Sequence, residues 1–368
     1  MRIIVLNKDL EQIGVIGVVN TLIWTRRYYK TGSFEIHFPA RYYDLVRKGY
    51  GMYVYRTDRD ELGVIRERNF TENDTAQKTA FAKGYFSEEL LDNRVINGNY
   101  NKYGILEDVS RDIVNTYCIN SGSARKIPKL ELGTRKGIGS NLRLQVTGVN
   151  VGEQLYMTEQ SQGMSHRLIY DYEQDKLCFE VWEGLDRTDE QDVNSWAIFA
   201  DSFRNIRDAI YNQDESNYKN VAYVAGAGEG SSRTIVEVDI RTDPNEERRE
   251  TWVDARDLQK TYTSGGSQHT YTDAQYRELL RQRGLDKLTQ FAQIETVNSN
   301  VDPSANLVYG TDYDLGDLCT YRYTDVNIEM SKRITEITET IEGSSRTLAL
   351  TFGIDKASDI RQVIKRET

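Results

Sequence analysis

Apolar and polar residues alternate in short runs along most of the chain. Phe34, Ile36 and Phe38 alternate with Glu35 and His37, the period of a strand with one buried face. Runs at 3–6, 14–19, 22–24, 52–55, 61–67 and 80–85 read likewise and predict a small antiparallel barrel or sandwich. Helical spacing enters later. Ser87 is placed to cap a short helix over 87–91. Leu106, Val109, Ile113, Val114 and Tyr117 mark one amphipathic face. A short helix over 153–160 stops at Gly163, and runs at 167–172 and 176–182 predict a hairpin turning at 173–175. Leu142, Leu144 and Val146 alternate as a strand, and 195–203 reads as another.

Two apolar runs, 221–225 and 234–240, flank Gly226, Gly228 and Gly230. A phosphate-cradling loop would have to open a helix whose first amides face the anion. Ile235, Val236, Val238 and Ile240 follow instead, rich in β-branching, so the glycines are expected in a hairpin turn. The polar stretch 263–269 reads as a flexible surface loop. Thr272 and Gln275 then have capping-box spacing before a helix with Leu279, Leu280, Leu285, Leu288 and Phe291 on one face and a kink expected at Gly284. Strand patterns return at 306–309, 318–323, 328–340 and 346–352.

The expected fold class is α+β and β-rich: two small β-barrel-like units with mixed α/β material between them. The boundaries drawn are 1–98, 99–215 and 216–368, the last holding an inserted helical segment at about 243–300. A length of 368 residues supports more than one compact unit. With 24 tyrosines and only 38% hydrophobic residues, many strands are expected to present half-buried rings of the kind that serve protein interfaces.

A formal net charge of −10 opposes stable nucleic-acid binding, which needs a basic face. Three widely spaced cysteines give no disulfide framework and fit a reducing compartment. The opening residues lack a signal-peptide pattern, and the apolar stretch 13–24 is short and interrupted by Asn20 and Thr21. Folding in a cytoplasm, without membrane insertion, is expected.

No catalytic, cofactor or metal site is expected. His37, His166 and His269 stand apart in sequence, and no HExxH or CxxC spacing occurs. Glu180 and Glu183 flank Trp182, but a pair of acids so close arises readily among 57. Ser231, Ser232 and Arg233 lack the nucleophile-elbow pattern and read as turn residues. The site residues singled out are Arg248, Arg249, Glu250, Trp252, Asp254, Arg256 and Asp257; on the residues alone their charges read equally as a solvated charge run or as an ion network within or between subunits, and the resemblance described next favours the network. Trp252 is expected in the core, where truncation costs about 3–5 kcal/mol.

Several stretches, in order, resemble the siphophage tail hub proteins. These are 22–28 and 32–39, Leu90 to Ile96, Asn217 to Val224, Gly226 to Arg233, Arg249-Glu250 with 253–257, Leu315-Gly316-Asp317 and Thr351-Phe352-Gly353. Arg204 departs from the pattern, which has glycine there, and puts one turn in doubt. The resemblance implies similarity in fold to the central baseplate hub of contractile tails. It implies a homotrimer whose two barrel-like domains per subunit make a pseudo-sixfold ring under the tail tube. The implied partners are the tube or distal tail protein and a spike, fibre or tape-measure protein, in a phage or prophage tail tip assembled in the host cytoplasm. Two alternatives stand beside this role. One is a cell-wall-degrading tail hydrolase, for which the chain is expected to leave no room after the 352–353 strand. The other is a carbohydrate-binding tail protein using Trp182 or Trp252.

Overall fold

In the computed structural model, residues 1–72, 78–264, 267–302 and 305–354 are described. The N-terminal strands are β1 (Ile3–Leu6), β2 (Gln12–Ile16), β3 (Thr21–Arg27), β4 (Ser33–Pro39), β5 (Tyr53–Arg56), β6 (Leu62–Glu72) and β7 (Lys78–Phe86), with the one-turn helix α1 (Tyr43–Arg47). They lie side by side as β3-β4-β7-β6-β5-β1-β2. The alternation in β4 puts Phe34, Ile36 and Phe38 into a core with Trp24, Val5 and Val54. At Arg66 strand β6 bulges, its register shifting between Ile65 and Glu67 opposite Gly84 and Lys83. Any Cβ on Gly84 would stand 1.9 Å from the Val64 carbonyl oxygen, so the bulge demands glycine.

The middle of the chain forms α2 (Glu89–Asp92), β8 (Tyr100–Ile105), α3 (Leu106–Val114), β9 (Leu130–Leu132), β10 (Asn141–Val146), α4 (Val151–Gln160), β11 (Ser165–Asp171) and β12 (Lys176–Trp182). The predicted apolar face of α3 is buried through Leu106, Val109 and Ile113, and the core it joins includes Leu6, Leu62 and Val64 of the N-terminal sheet. β11 and β12 form the expected hairpin. Ser87 does not cap α2: the residue before that helix is Glu88, and the Ser87 hydroxyl turns to the Leu168 carbonyl.

Next come β13 (Asp186–Arg187), β14 (Ile198–Ala200) and β15 (Ile206–Asp214). An inserted unit follows: β16 (Val221–Ala225), β17 (Ile235–Asp239), β18 (Glu250–Asp254), β19 (Thr261–Ser264), β20 (Ser267–Thr270) and α5 (Asp273–Thr289). The chain closes with β21 (Ile294–Val301), β22 (Leu318–Tyr323), β23 (Ile328–Glu342) and β24 (Ser345–Ile354). The strand expected over 195–203 is only Ile198–Ala200, because Asp201 to Arg204 turn the chain. The stretch expected as a flexible loop at 263–269 forms part of the β19–β20 hairpin, where Tyr262 stacks on His269 and Tyr271; its two glycines, 265 and 266, lie outside the described residues.

β15, β21, β24 and β23 form an antiparallel ladder, and β23 pairs with β3. The two ends of the chain thus share one sheet, with β15 and β2 as its outer edges. Among the described residues no pairing closes either half into a barrel. A second core, with Phe199, Tyr313, Tyr321, Ile334, Ile337 and Phe352, lies on the β23 side of the junction. Strands β13 and β14 pair with β22, and β15 with β21, so residues 186–214 join the C-terminal strands across the boundary drawn at 215.

The turn put in doubt at Arg204 is present. Arg204 adopts φ 55°, the left-handed conformation that glycine takes without strain, and its N–H donates to the Asp201 carbonyl. Buried Asn205 fixes the turn, donating to the Ile198 carbonyl and accepting from the Ala200 N–H, both at 2.8 Å.

Candidate functional site

Strand β16 is the centre of a three-stranded sheet, antiparallel to β17 and parallel to β18. One face supplies Ala222, Val224, Val238 and Val253 to a core with Tyr276, Leu279 and Leu280 of α5. The capping box at Thr272 and Gln275 starts α5 as expected, and the helix runs through Gly284 to Thr289. Gly284 is a contact point: a Cβ there would approach Val238 and Val224 to 2.7 and 2.8 Å. The expected hairpin joins β16 to β17, with Gly228 and Gly230 at positive φ. Arg233 closes it by donating to the Gly226 carbonyl at 2.8 Å.

The opposite face is the one facing away from α5. Tyr223 has Glu237 and Trp252 as its cross-strand neighbours. Arg248 donates to the Tyr223 hydroxyl at 2.8 Å, lies 2.9 Å from a Glu237 oxygen, and also pairs with Glu250. Arg249 pairs with Glu247 and donates to the Glu215 carbonyl. Buried Asn220 accepts from the Arg249 N–H and donates to Glu246 and to the Glu247 carbonyl, which pins the charged loop to the sheet. Asp254 is held by Arg256 and Arg233, whose hydrogen bonds lower its pKa to about 2. Asp257 belongs to the other side, paired with Arg283 of α5 at 2.7 Å.

These contacts tie β16, β17, β18 and α5 of the chain to one another. Trp252 is the exception to expectation. It is 57% exposed rather than buried, because the core position of β18 falls on Val253 and period-2 alternation turns its neighbour outward. Its ring lies 5.9 Å from the Arg233 guanidinium carbon, which is itself fixed by Asp254. The face thus presents an exposed indole and a half-buried phenol among oriented guanidinium groups, the residue types that dominate protein contact surfaces.

The residues weighed for catalysis are placed differently. Burial opposes ionisation of Glu180, but hydrogen bonds from Lys136 and Arg167 outweigh it and lower its pKa. Glu183 stands 3.3 Å from Arg333. Glu180, held ionised by those two cations, is a poor proton donor. Ser232 donates to the Glu229 carbonyl within the turn. His37 lies 2.6 Å from Glu35 at the surface. His166 is different: it is buried with Glu159, Nδ1 to Oε2 2.7 Å, a convergence of α4 with β11 that no residue spacing announced. Among the described residues no cluster suits a metal ion and no helix is long and apolar enough to cross a membrane.

Comparison with known proteins agrees with this architecture. Three solved structures share the fold along nearly their whole length. The tail protein from Neisseria meningitidis MC58 is 11% identical, with 96% of each chain covered and a TM-score of 0.57. Prophage tail protein gp18 from Listeria monocytogenes EGD-e is 12% identical, with 99% of each chain covered and a TM-score of 0.55. The 43 kDa tail protein of prophage MuSo2 from Shewanella oneidensis is 12% identical, with 96% of this chain and 98% of that chain covered and a TM-score of 0.56. No curated protein matches the sequence. The family model of the Siphovirus ReqiPepy6 Gp37-like proteins matches residues 2–354, so the resemblance noted in scattered stretches extends through both β units, the middle unit and the inserted unit, and the chain belongs to that family.

Proposed function

We infer that this structural tail component forms a trimeric hub ring joining the tail tube to the distal tip. The observation that carries the reading is the single sheet running through both ends of the chain. Two β units, each with its own core, stand side by side and share the β3–β23 ladder. Three such chains would set six similar units around one axis, matching a sixfold tube above and threefold parts below. The sheet also ends in two open edges, β2 and β15, of the kind through which neighbouring chains extend a sheet.

In this reading the two β units face the tube, and the middle material from β8 to β12 lines the path to the tip. The partners are further copies of the chain, the tube or distal tail protein, and a spike, fibre or tape-measure protein. Assembly takes place in the host cytoplasm and the product sits at the tail tip. The role is non-enzymatic. The face around Trp252 is a contact for a neighbouring tail protein, and stacking of a sugar on the exposed indole is the second reading that the same exposure favours. A reconstruction of the particle tests the ring: three copies in one layer are expected, and six copies would overturn the reading.

A further inference from the structure

The deepest polar cluster in the molecule lies away from the Trp252 face, where the N-terminal sheet, the middle unit and the C-terminal unit meet. His166 on β11 and Glu159 on α4 have fully inaccessible side chains. The other ring nitrogen of His166 has no partner within the protein, and neither do Glu88 Oε2 and Trp182 Nε1. Glu88, His166 and Trp182 all line one cavity of about 30 Å³, enough to admit water. Glu88 sits between β7 and α2 and is anchored by its other oxygen, which accepts from the Leu168 N–H at 3.0 Å.

Counting charges narrows the state of this cluster. Of the other charged groups lining the cavity, Arg26 is engaged by Glu61, Arg27 by Glu336 and Arg167 by Glu180. Asp60 lines it too. Asp92 contributes negative potential from α2, and Tyr156 of α4 packs its ring 4.1 Å from the imidazole. No arginine or lysine pairs with Glu159 or Glu88 among the described ion pairs; His166 is the cation on Glu159, and the buried Nε of Arg167 in the same lining has no partner. A water in the cavity would accept from Trp182 and from the protonated imidazole and donate to Glu88, satisfying all three atoms together.

We propose that His166 is a proton latch. Its imidazolium, bonded directly to Glu159 and through one water to Glu88, ties the middle unit to the end of the N-terminal sheet. Loss of that proton releases the seam.

The direction of the pH dependence follows. Burial disfavours the charged imidazole, but the charge and hydrogen bond of Glu159, with Glu88 and Asp92 behind them, outweigh it and raise the His166 pKa. Burial likewise raises that of Glu88. A group whose pKa is higher folded than unfolded contributes stability that is complete below its unfolded value, about 6.5 for histidine. That contribution is lost as pH rises through the folded value. Both contributions therefore fall as pH rises, each through that group's own folded value.

Only three histidines occur, so carbon-13 labelling of histidine in the full chain resolves His166, with His166→Gln giving its assignment. The expected result is a His166 titration above pH 6.5 that falls by about tenfold in proton affinity, close to one pH unit, in Glu159→Gln. A smaller downward shift is expected in Glu88→Gln. Amide exchange of 86–92 and 164–168, corrected for intrinsic rates, should rise at the same midpoint in the unaltered protein. If His166→Gln does not fold, the two glutamate variants supply the assignment, since only one of the three resonances should respond. Titration at or below the free value, no response to either glutamate variant, or exchange without a step at that midpoint would each overturn the latch.

Discussion

Arg56 and Glu339 lie 283 residues apart in sequence and meet in the seam between the two β units, each side chain only 2% exposed. Glu339 stands opposite Trp24 in the β3–β23 ladder. It also takes Arg59 at 3.3 Å and Arg346, while Arg56 lies over the Trp24 ring with its other nitrogens on Asp58. One carboxylate thus anchors three cations where the halves of the sheet join.

Removing that carboxylate leaves a buried guanidinium with only the half-exposed Asp58 beside it. Glu339→Ala is expected to cost about 3–5 kcal/mol, the usual result of breaking one side of a buried pair. Burial raises the Glu339 pKa, but hydrogen bonding and charge from Arg56 outweigh it and the net shift is downward. A depressed carboxylate pKa contributes stability present above the unfolded value, about 4.3, and lost as pH falls through the folded one. Denaturant unfolding between pH 3 and 7 should therefore show an acid-side loss of stability that is smaller in Glu339→Ala. Equal acid sensitivity in both proteins would separate this pair from the acid response.

Trp252 allows stability and assembly to be told apart. With 57% of it exposed, Trp252→Ala should change unfolding free energy by no more than about 0.5 kcal/mol. If the face meets a neighbouring tail protein, the same change should weaken that association by about 2 kcal/mol or more, roughly thirtyfold in affinity. Co-sedimentation of the variant with tail particles measures it. Undiminished incorporation, combined with loss of binding to a soluble glycan, would favour the sugar-stacking reading instead.

How much of this was legible in the chain depends on how local the cause was. Period-2 alternation located β4, β11 and β12 because one buried face is written directly into neighbouring residues. The capping box at Thr272 was legible for the same reason. Trp252 was misplaced because bulk suggested burial, whereas the register of β18 gives the core to Val253. The 263–269 segment was misread because its polar side chains hide the pairing of β19 with β20. The Arg56–Glu339 seam comes from long-range convergence, which no spacing encodes, and the Glu159–His166 pair from the turn that folds β11 back on α4.

Arg204 tests a strained turn. An L-residue in the left-handed region costs about 1–2 kcal/mol relative to its ordinary conformations, and glycine does not pay it. Greater freedom in the unfolded chain returns part of that gain. Arg204→Gly is therefore expected to stabilise by about 0.5–1 kcal/mol, read as a rise in the denaturant midpoint with an unchanged slope. A fall in stability would mean that the exposed guanidinium makes a contribution larger than the strain.

Gly84 makes the opposite prediction, since its role is space and not conformation. Its backbone has no positive φ, so alanine can adopt it. Yet the added methyl would meet the Val64 carbonyl oxygen at 1.9 Å, backbone against backbone, in the middle of the β6–β7 ladder. No rotamer change relieves such a contact. The strands must separate at the bulge, which sits beside Phe34 and above the N-terminal core. We expect Gly84→Ala to destabilise by about 1–3 kcal/mol, the usual cost of overpacking a fixed site. Amide exchange should accelerate first at 63–67 and 82–86, on either side of the bulge. Gly49→Ala is the control, because a Cβ there meets nothing within 4 Å. Equal effects from the two substitutions would show that the close approach at the bulge does not set the cost, since the loss of unfolded-state entropy on Gly→Ala stabilises at both sites.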